Sequence, residues 1–256
     1  MATNRLLTPN EEGYFKDPYL LWFVADNPIR HEKLPANIVE VTKTILKVLQ
    51  KAQVDNYQHQ IDYALGLVAT GRIPKECSVQ IPLMELLIQE GAQVKGSVLG
   101  PIGQHNFEAA EFLLSKGSDY NLATAVGLDL IDDLKKLIEK ATPSEMYVAL
   151  VVASFFGKAE IISQLIEAGV DPNGQGKHED FGGFHSHASA LHQAVYSGSL
   201  ASVKLLVRAG ANINAYDQAY TGTPLGWATY MRIEEAVTDE ERKRFAEIES
   251  FLKGAD

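Results

Sequence analysis

Ser189 to Asn214 reads SALHQAVYSGSLASVKLLVRAGANIN: a polar opening residue, apolar Leu191 and Ala194, a glycine at 198, then Val203, Leu205, Leu206 and Val207 before a glycine at 210. Apolar residues three and four apart fall on one face of an α-helix. Gly198 and Gly210 can take the left-handed backbone that ends a helix, at less cost than other residues. The pattern predicts two short helices joined in a hairpin, the first opened by Ser189 as N-cap. The template recurs upstream in ALVVASFFGKAEIISQLIEAGVDPN, through Leu150, Ala153, Gly157, Ile162, Leu165 and Gly169, with the glycines again twelve apart. Downstream, TPLGWATYM supplies Thr223, Pro224, Leu225 and Ala228. The chain closes on IESFLKGAD, whose Ile248, Phe251, Leu252 and Gly254 match the second half of the unit, after an insertion RIEEAVTDEERKRF.

Earlier units are more degenerate. LATAVGLDLIDDLKKLIEKA keeps Leu122, Ala125, Leu134, Leu137 and Ile138, with Asp129 and Ala141 where glycines are expected. NFEAAEFLLSKGSDYN keeps Leu113 and Gly117, but the VLGPIGQ before it makes a poor first helix. IDYALGLVATG and IPLMELLIQEGAQV read as two halves of one unit, and NIVEVTKTILKVLQKAQVDN as the second half of the first. DPYLLWFVADN is its expected first helix, with Asp17 as N-cap and Pro18 in the first turn. A single pair of ten-residue helices cannot bury its apolar faces alone, so neighbouring pairs must stack into one continuous core.

The segments SALH and TPLG, each followed or preceded by endings such as GANIN and GVDPN, resemble the TPLH-type signature of the ankyrin-repeat family. The resemblance is strongest over residues 146–256. It implies an all-α ankyrin-repeat solenoid of about six to seven irregular helix-hairpin repeats. A single domain over 1–256 is expected, with a divergent N-terminal cap at 1–56, degenerate repeats at 57–145, and the best-matching repeats and C-terminal cap at 146–256. Successive second-helix ends at Ala52, Gly91, Gly117, Ala141, Gly169, Gly210 and Gly254 are unevenly spaced around the family's period of about 33 residues. The short middle intervals leave no room for a finger between helix pairs, and the long C-terminal ones imply enlarged loops.

By the same resemblance, His192 hydrogen-bonds within and between units, and the two residues before each first-helix glycine face a concave groove together with the finger tips. The first three such pairs, Ala69 and Thr70, Gly103 and Gln104, Gly127 and Leu128, are small or mixed. The last three, Phe155 and Phe156, Tyr196 and Ser197, Tyr230 and Met231, each carry an aromatic. With the finger residues Phe181, Phe184, Tyr216 and Tyr220 they form the expected partner-binding set, because aromatic side chains supply much of the energy of protein interfaces. The competing expectation is that Phe155 and Phe156 pack under the insertion between Gly174 and Ala188, which must rest on something.

Composition narrows the function. The 256 residues are 46% apolar, enough for a substantial core, and 33 acids against 23 bases give a formal charge of -10, which argues against a nucleic-acid surface. The N-terminus MATNRLLTPNEEGYF has no signal-peptide pattern and no apolar run reaches membrane length, so a cytoplasmic protein is expected. The lone Cys77 forms no intrachain disulfide. None of the nucleophile-elbow, phosphate-loop, zinc-protease or dinucleotide motifs occurs. The leading expectation is a non-enzymatic adaptor that binds a protein or peptide and needs no cofactor. The alternative is a metal-dependent enzyme or sensor built on His178, His185 and His187 of the insertion GQGKHEDFGGFHSHA, three imidazoles within ten residues.

Overall fold

A computed structural model describes residues 19–25, 33–94, 96, 98–176 and 181–255. The chain gathers into two compact units, Met1–Asp119 and Tyr120–Asp256. Both are built from paired helices, and the described residues contain no extended strand, as an all-α repeat solenoid requires.

In the first unit a 3₁₀ helix at Leu20–Ala25 packs on α1 (Ile38–Lys51) and α2 (Tyr57–Thr70). The α-helix expected there is replaced by this tighter turn, and its expected cap, Asp17 with Pro18, lies outside the described residues. A five-residue helix α3 (Arg72–Glu76) continues from α2 before α4 (Gln80–Gln89) folds back along it. The hairpin therefore turns at Ser78, which takes φ 57°, and not at Gly71, whose φ is -72°. Gly71 is needed for space: a Cβ there would stand 2.9 Å from the Pro74 ring and from the Leu67 carbonyl. VLGPIGQ does form a first helix, α5 (Leu99–Gly103), paired with α6 (Phe107–Ser115). Its burial explains how so poor a helix former holds: Val98, Leu99 and Ile102 are inaccessible to solvent, and tertiary packing overrides propensity.

In the second unit the first helices α7 (Leu122–Gly127), α9 (Pro143–Phe155), α11 (Ala190–Tyr196) and α13 (Pro224–Tyr230) stack in sequence. The second helices α10 (Ala159–Glu167), α12 (Leu200–Arg208) and α14 (Asp239–Lys253) form the parallel row, and a short α8 (Leu134–Ile138) pairs with α7. Leu150, Ile162, Leu165, Leu191, Val203, Leu206 and Ile248 make the continuous core between the rows, each stabilising by about 1.5–3 kcal/mol. α9 is buried on every side from Tyr147 to Phe155 and opens with a capping box, the Thr142 hydroxyl accepting from the Glu145 N–H while the Glu145 carboxylate accepts from the Thr142 N–H.

The last helix corrects the expected insertion. RIEEAVTDEERKRF is not one loop: after a π-helical turn at Met231–Glu235, Thr238 and Glu241 form a second capping box and DEERKRF is already the first half of α14. The turn is pinned by Glu249 of α14, nearly buried, which accepts from Arg232 Nε at 2.8 Å and from the Thr229 hydroxyl.

Asp129, at φ 57°, occupies the place that Gly157 and Gly198 hold in the next two pairs. Its carboxylate meets Lys158 Nζ, which also donates to the Val126 carbonyl at 2.7 Å and so satisfies the end of α7. This contact offsets the roughly 1 kcal/mol that a side chain in the left-handed region costs.

Candidate functional site

The first-helix ends and the loops between α10 and α11 and between α12 and α13 meet around Trp227. Two polar devices fix this region. Asp217 is 1% exposed, and its carboxylate accepts four hydrogen bonds: from the N–H groups of Ala219, Tyr220 and Gly222 at 2.9, 2.6 and 2.8 Å, and from Trp227 Nε1 at 2.9 Å. Burial pushes its pKa up, but these donors outweigh burial and hold it at about 2. They fold the loop over the carboxylate and aim the indole.

His192 is fully buried on α11. Its Nδ1 lies 2.8 Å from the Ser189 hydroxyl and accepts from the Ser189 N–H at 3.3 Å, which leaves Nε2 to donate to the Gly222 carbonyl at 3.1 Å. The imidazole thus stands in for the Glu of an ordinary capping box and ties α11 to the loop before α13. Burial pulls its pKa below the usual histidine value, against the smaller opposing pull of the Gly222 carbonyl and Asp217. The role expected for His192, bonding within and between units, is what these distances describe. Asn173 makes a similar bridge, donating to the Gly210 carbonyl and accepting from the Asn212 N–H, both at 2.8 Å.

The aromatic residues singled out in the sequence divide into two groups. Phe155, Phe181 and Phe184 are interior: Phe184 is 4% exposed and packs edge-on to Phe155 at 4.9 Å, and Phe181 stands edge-on to Tyr147 at 6.3 Å. The insertion after Gly174 therefore rests on α9 as a satellite core, and these three phenylalanines are not part of an exposed cluster. Gly176 permits it, since a Cβ there would stand 2.8 Å from the Phe181 ring. Phe156 and Met231 are half-buried, and the Lys158 ammonium lies 5.3 Å from the Phe156 ring centre. Tyr196, Tyr216, Tyr220 and Tyr230 are exposed, Tyr220 the most at 77%.

Ring contacts join these residues into one face. Phe156 touches Phe155, Phe155 stacks on Tyr196 at 5.3 Å, Tyr196 meets His185 at 5.0 Å, and His185 meets Trp227 at 5.7 Å. Trp227 then reaches His187 at 6.1 Å, and His187 reaches Tyr220 at 5.6 Å. Trp227 is central to this chain, and the sequence reasoning passed over it. The signal available was its place on α13, one helical turn before Tyr230.

His185 and His187 are neighbours, with ring centres 5.6 Å apart, but they serve the face as flat rings. Burial, then His187, lowers the pKa of His185. His187 Nε2 is buried without a hydrogen-bond partner. His178, the third expected ligand, lies outside the described residues. Among the described residues no three His, Cys, Asp or Glu side chains are grouped so as to hold a metal ion, and no helix is long and apolar enough to cross a membrane.

These loops capped by an aspartate, with Ser189 or Thr223 opening the next helix and an imidazole locked between units, define stacked helix-hairpin repeats of the kind that the sequence resembles. A model of the family described as "Ankyrin repeats (3 copies)" matches residues 122–217 and again 150–238, so ankyrin repeats are detected in that stretch. A solved ankyrin repeat domain from Acinetobacter baumannii is similar to the chain, at 23% identity and a TM-score of 0.40, over 75% of this chain and 97% of that one. No curated protein matches the chain. Ankyrin repeats are in general protein–protein interaction modules, without enzymatic activity as a rule.

Proposed function

We propose that the protein is a non-enzymatic adaptor that binds a protein or peptide partner along the face formed by Phe156, Tyr196, His185, Trp227, His187 and Tyr220. One observation carries this reading: ring contacts run from Phe156 through the buried Phe155 to Tyr196, His185, Trp227, His187 and Tyr220, across three successive helix pairs. Rings held by buried devices such as Asp217 and His192 present rigid area with little side-chain entropy left to lose on binding, which is how interface hot spots work. A metal-centred function finds no comparable support in the described geometry. The cytoplasm is the proposed location, where a lone thiol such as Cys77 stays reduced.

Quantitative affinity capture from the source cell tests the proposal. Tyr220→Ala removes the most exposed ring and Tyr196→Ala the ring stacked on Phe155, and in variants that remain folded each should cut recovery of specific partners by about tenfold or more, as loss of a hot spot worth roughly 2 kcal/mol implies. Folded variants that retain every partner at full strength would show that the face is not the binding surface.

A further inference from the structure

One turn beyond Trp227 on α13 stands Tyr230, and the chain runs on into Glu234 and Glu235 of the π-helical turn. Tyr230 is 55% exposed and its hydroxyl donates to Glu235 Oε1 at 3.1 Å. The single basic residue of that turn, Arg232, is drawn away to Glu249, with which it pairs at 2.8 Å. Among the described residues neither Glu234 nor Glu235 has a Lys or Arg within ion-pair distance. The end of the aromatic face thus carries two uncompensated carboxylates beside exposed phenol rings. Glu235, first through its hydrogen bond and then by its charge, pushes the Tyr230 phenol above its ordinary pKa, with smaller contributions from burial and from Glu234.

Flat π faces next to carboxylates are complementary to one chemistry, an alkylammonium or guanidinium group. The ring faces attract the cation, the carboxylates pair with it, and both act together on a side chain whose methylenes lie along the rings. We propose that the partner docks a lysine- or arginine-bearing peptide segment here, its cation between Tyr230 and the Glu234–Glu235 carboxylates and its neighbouring apolar residues on the Trp227–Tyr220 end of the face. This inference rests on the adaptor reading above and adds the charge class of the partner.

Selection from a random twelve-residue peptide display library on the immobilised full chain tests it, with recovered peptides re-measured by fluorescence polarisation against three variants. Tyr196→Ala reports use of the aromatic face, and the doubly substituted Glu234→Gln, Glu235→Gln reports use of the carboxylates; Tyr230→Ala reports the ring between them. The expected result is enrichment of Lys or Arg at a fixed distance from an apolar residue, with affinity falling about tenfold in the carboxylate variant and more steeply lost at high salt in the wild type. Peptides that need Tyr196 but carry no basic residue, and bind the carboxylate variant equally well, would overturn the cation site and leave the adaptor reading intact. Failure to recover any peptide that depends on Tyr196 would overturn both.

Discussion

Asp217 shows how much of this protein's architecture depends on a side chain that only accepts hydrogen bonds. Four N–H groups converge on it, so neither oxygen can tolerate a donor in its place. Asp217→Asn would set an amide NH₂ against the Gly222 N–H or the Trp227 Nε1–H. Asp217→Asn and Asp217→Ala should therefore both lower stability by about 2 kcal/mol or more, as expected when several covered donors lose their acceptor. Urea unfolding followed by circular dichroism gives the size of the loss, and a blue or red displacement of Trp227 emission in the folded variants reports the freed indole. This chemistry was only partly legible from letters. The TPL signature at Thr223 to Leu225 announced a capped helix, but nothing local to Asp217 marked it as the residue on which the loop closes. Likewise Phe184 and Tyr220 look alike as loop aromatics in the sequence. Only the path of the insertion over α9 buries one and leaves the other exposed.

The helix hairpins share a backbone device more regular than their sequences. Ser78, His105, Asp129, Gly157 and Gly198 all take positive φ where a first helix turns into a second, and Gly91, Gly117, Gly169 and Gly210 do the same where the second ends. The glycines spaced twelve apart exposed this rhythm in the C-terminal pairs. Elsewhere a side chain sits in the left-handed region at a cost of about 1 kcal/mol, small enough for local contacts such as that of Lys158 with Asp129 to offset, and so the sequence signal fades while the turn persists. In the α2–α4 hairpin Gly71 does end α2, but it serves steric clearance around Pro74, and the chain turns back only at Ser78, after α3. Positions within the device differ in what they tolerate. At Gly210 an added Cβ meets open space, so Gly210→Ala should cost only the backbone strain of about 1 kcal/mol. At Gly157 the added Cβ would approach the Ser199 Cβ to 3.0 Å and the Ser197 Oγ to 3.2 Å, so Gly157→Ala should cost about 2–3 kcal/mol. Thermal unfolding of both variants beside the wild type checks the order, and equal losses would show that the α9–α10 turn does not press on α12 as described.

The two compact units differ in their chemistry, and acid should separate them. His185, His192, Asp217, Glu145 and Glu249 all lie in Tyr120–Asp256, and all have pKa values below their ordinary ones. For the histidines the chief cause is burial, which disfavours the imidazolium; for Asp217 and Glu249 burial acts in the opposite sense and is outweighed by hydrogen bonds to the carboxylate. In each case the unfolded chain takes up the proton first, so stability rises with pH. The histidine contribution is complete above about pH 6.5 and falls away as pH drops toward the lowered folded values. The carboxylate contribution is complete above about pH 4–5 and is lost as pH approaches 2, where Asp217 itself titrates. Asp217 is covered but shallow, so solvent screening leaves its share at about 1–2 kcal/mol. The two tryptophans of the chain fall one in each unit, Trp22 against Tyr19 and Tyr63, and Trp227 in the aromatic face. Trp22→Phe leaves Trp227 as sole reporter of the second unit, and Trp227→Phe leaves Trp22 as reporter of the first. On titration from pH 8 to pH 2.5, emission wavelength of the Trp22→Phe protein should move to the red in a first step below pH 6.5 and a second below pH 4, ahead of any change in the Trp227→Phe protein. Wavelength is the proper readout, because a charged imidazole near an indole alters intensity without unfolding. If both reporters shift together, the protons that matter for stability are not those held around Asp217 and His192.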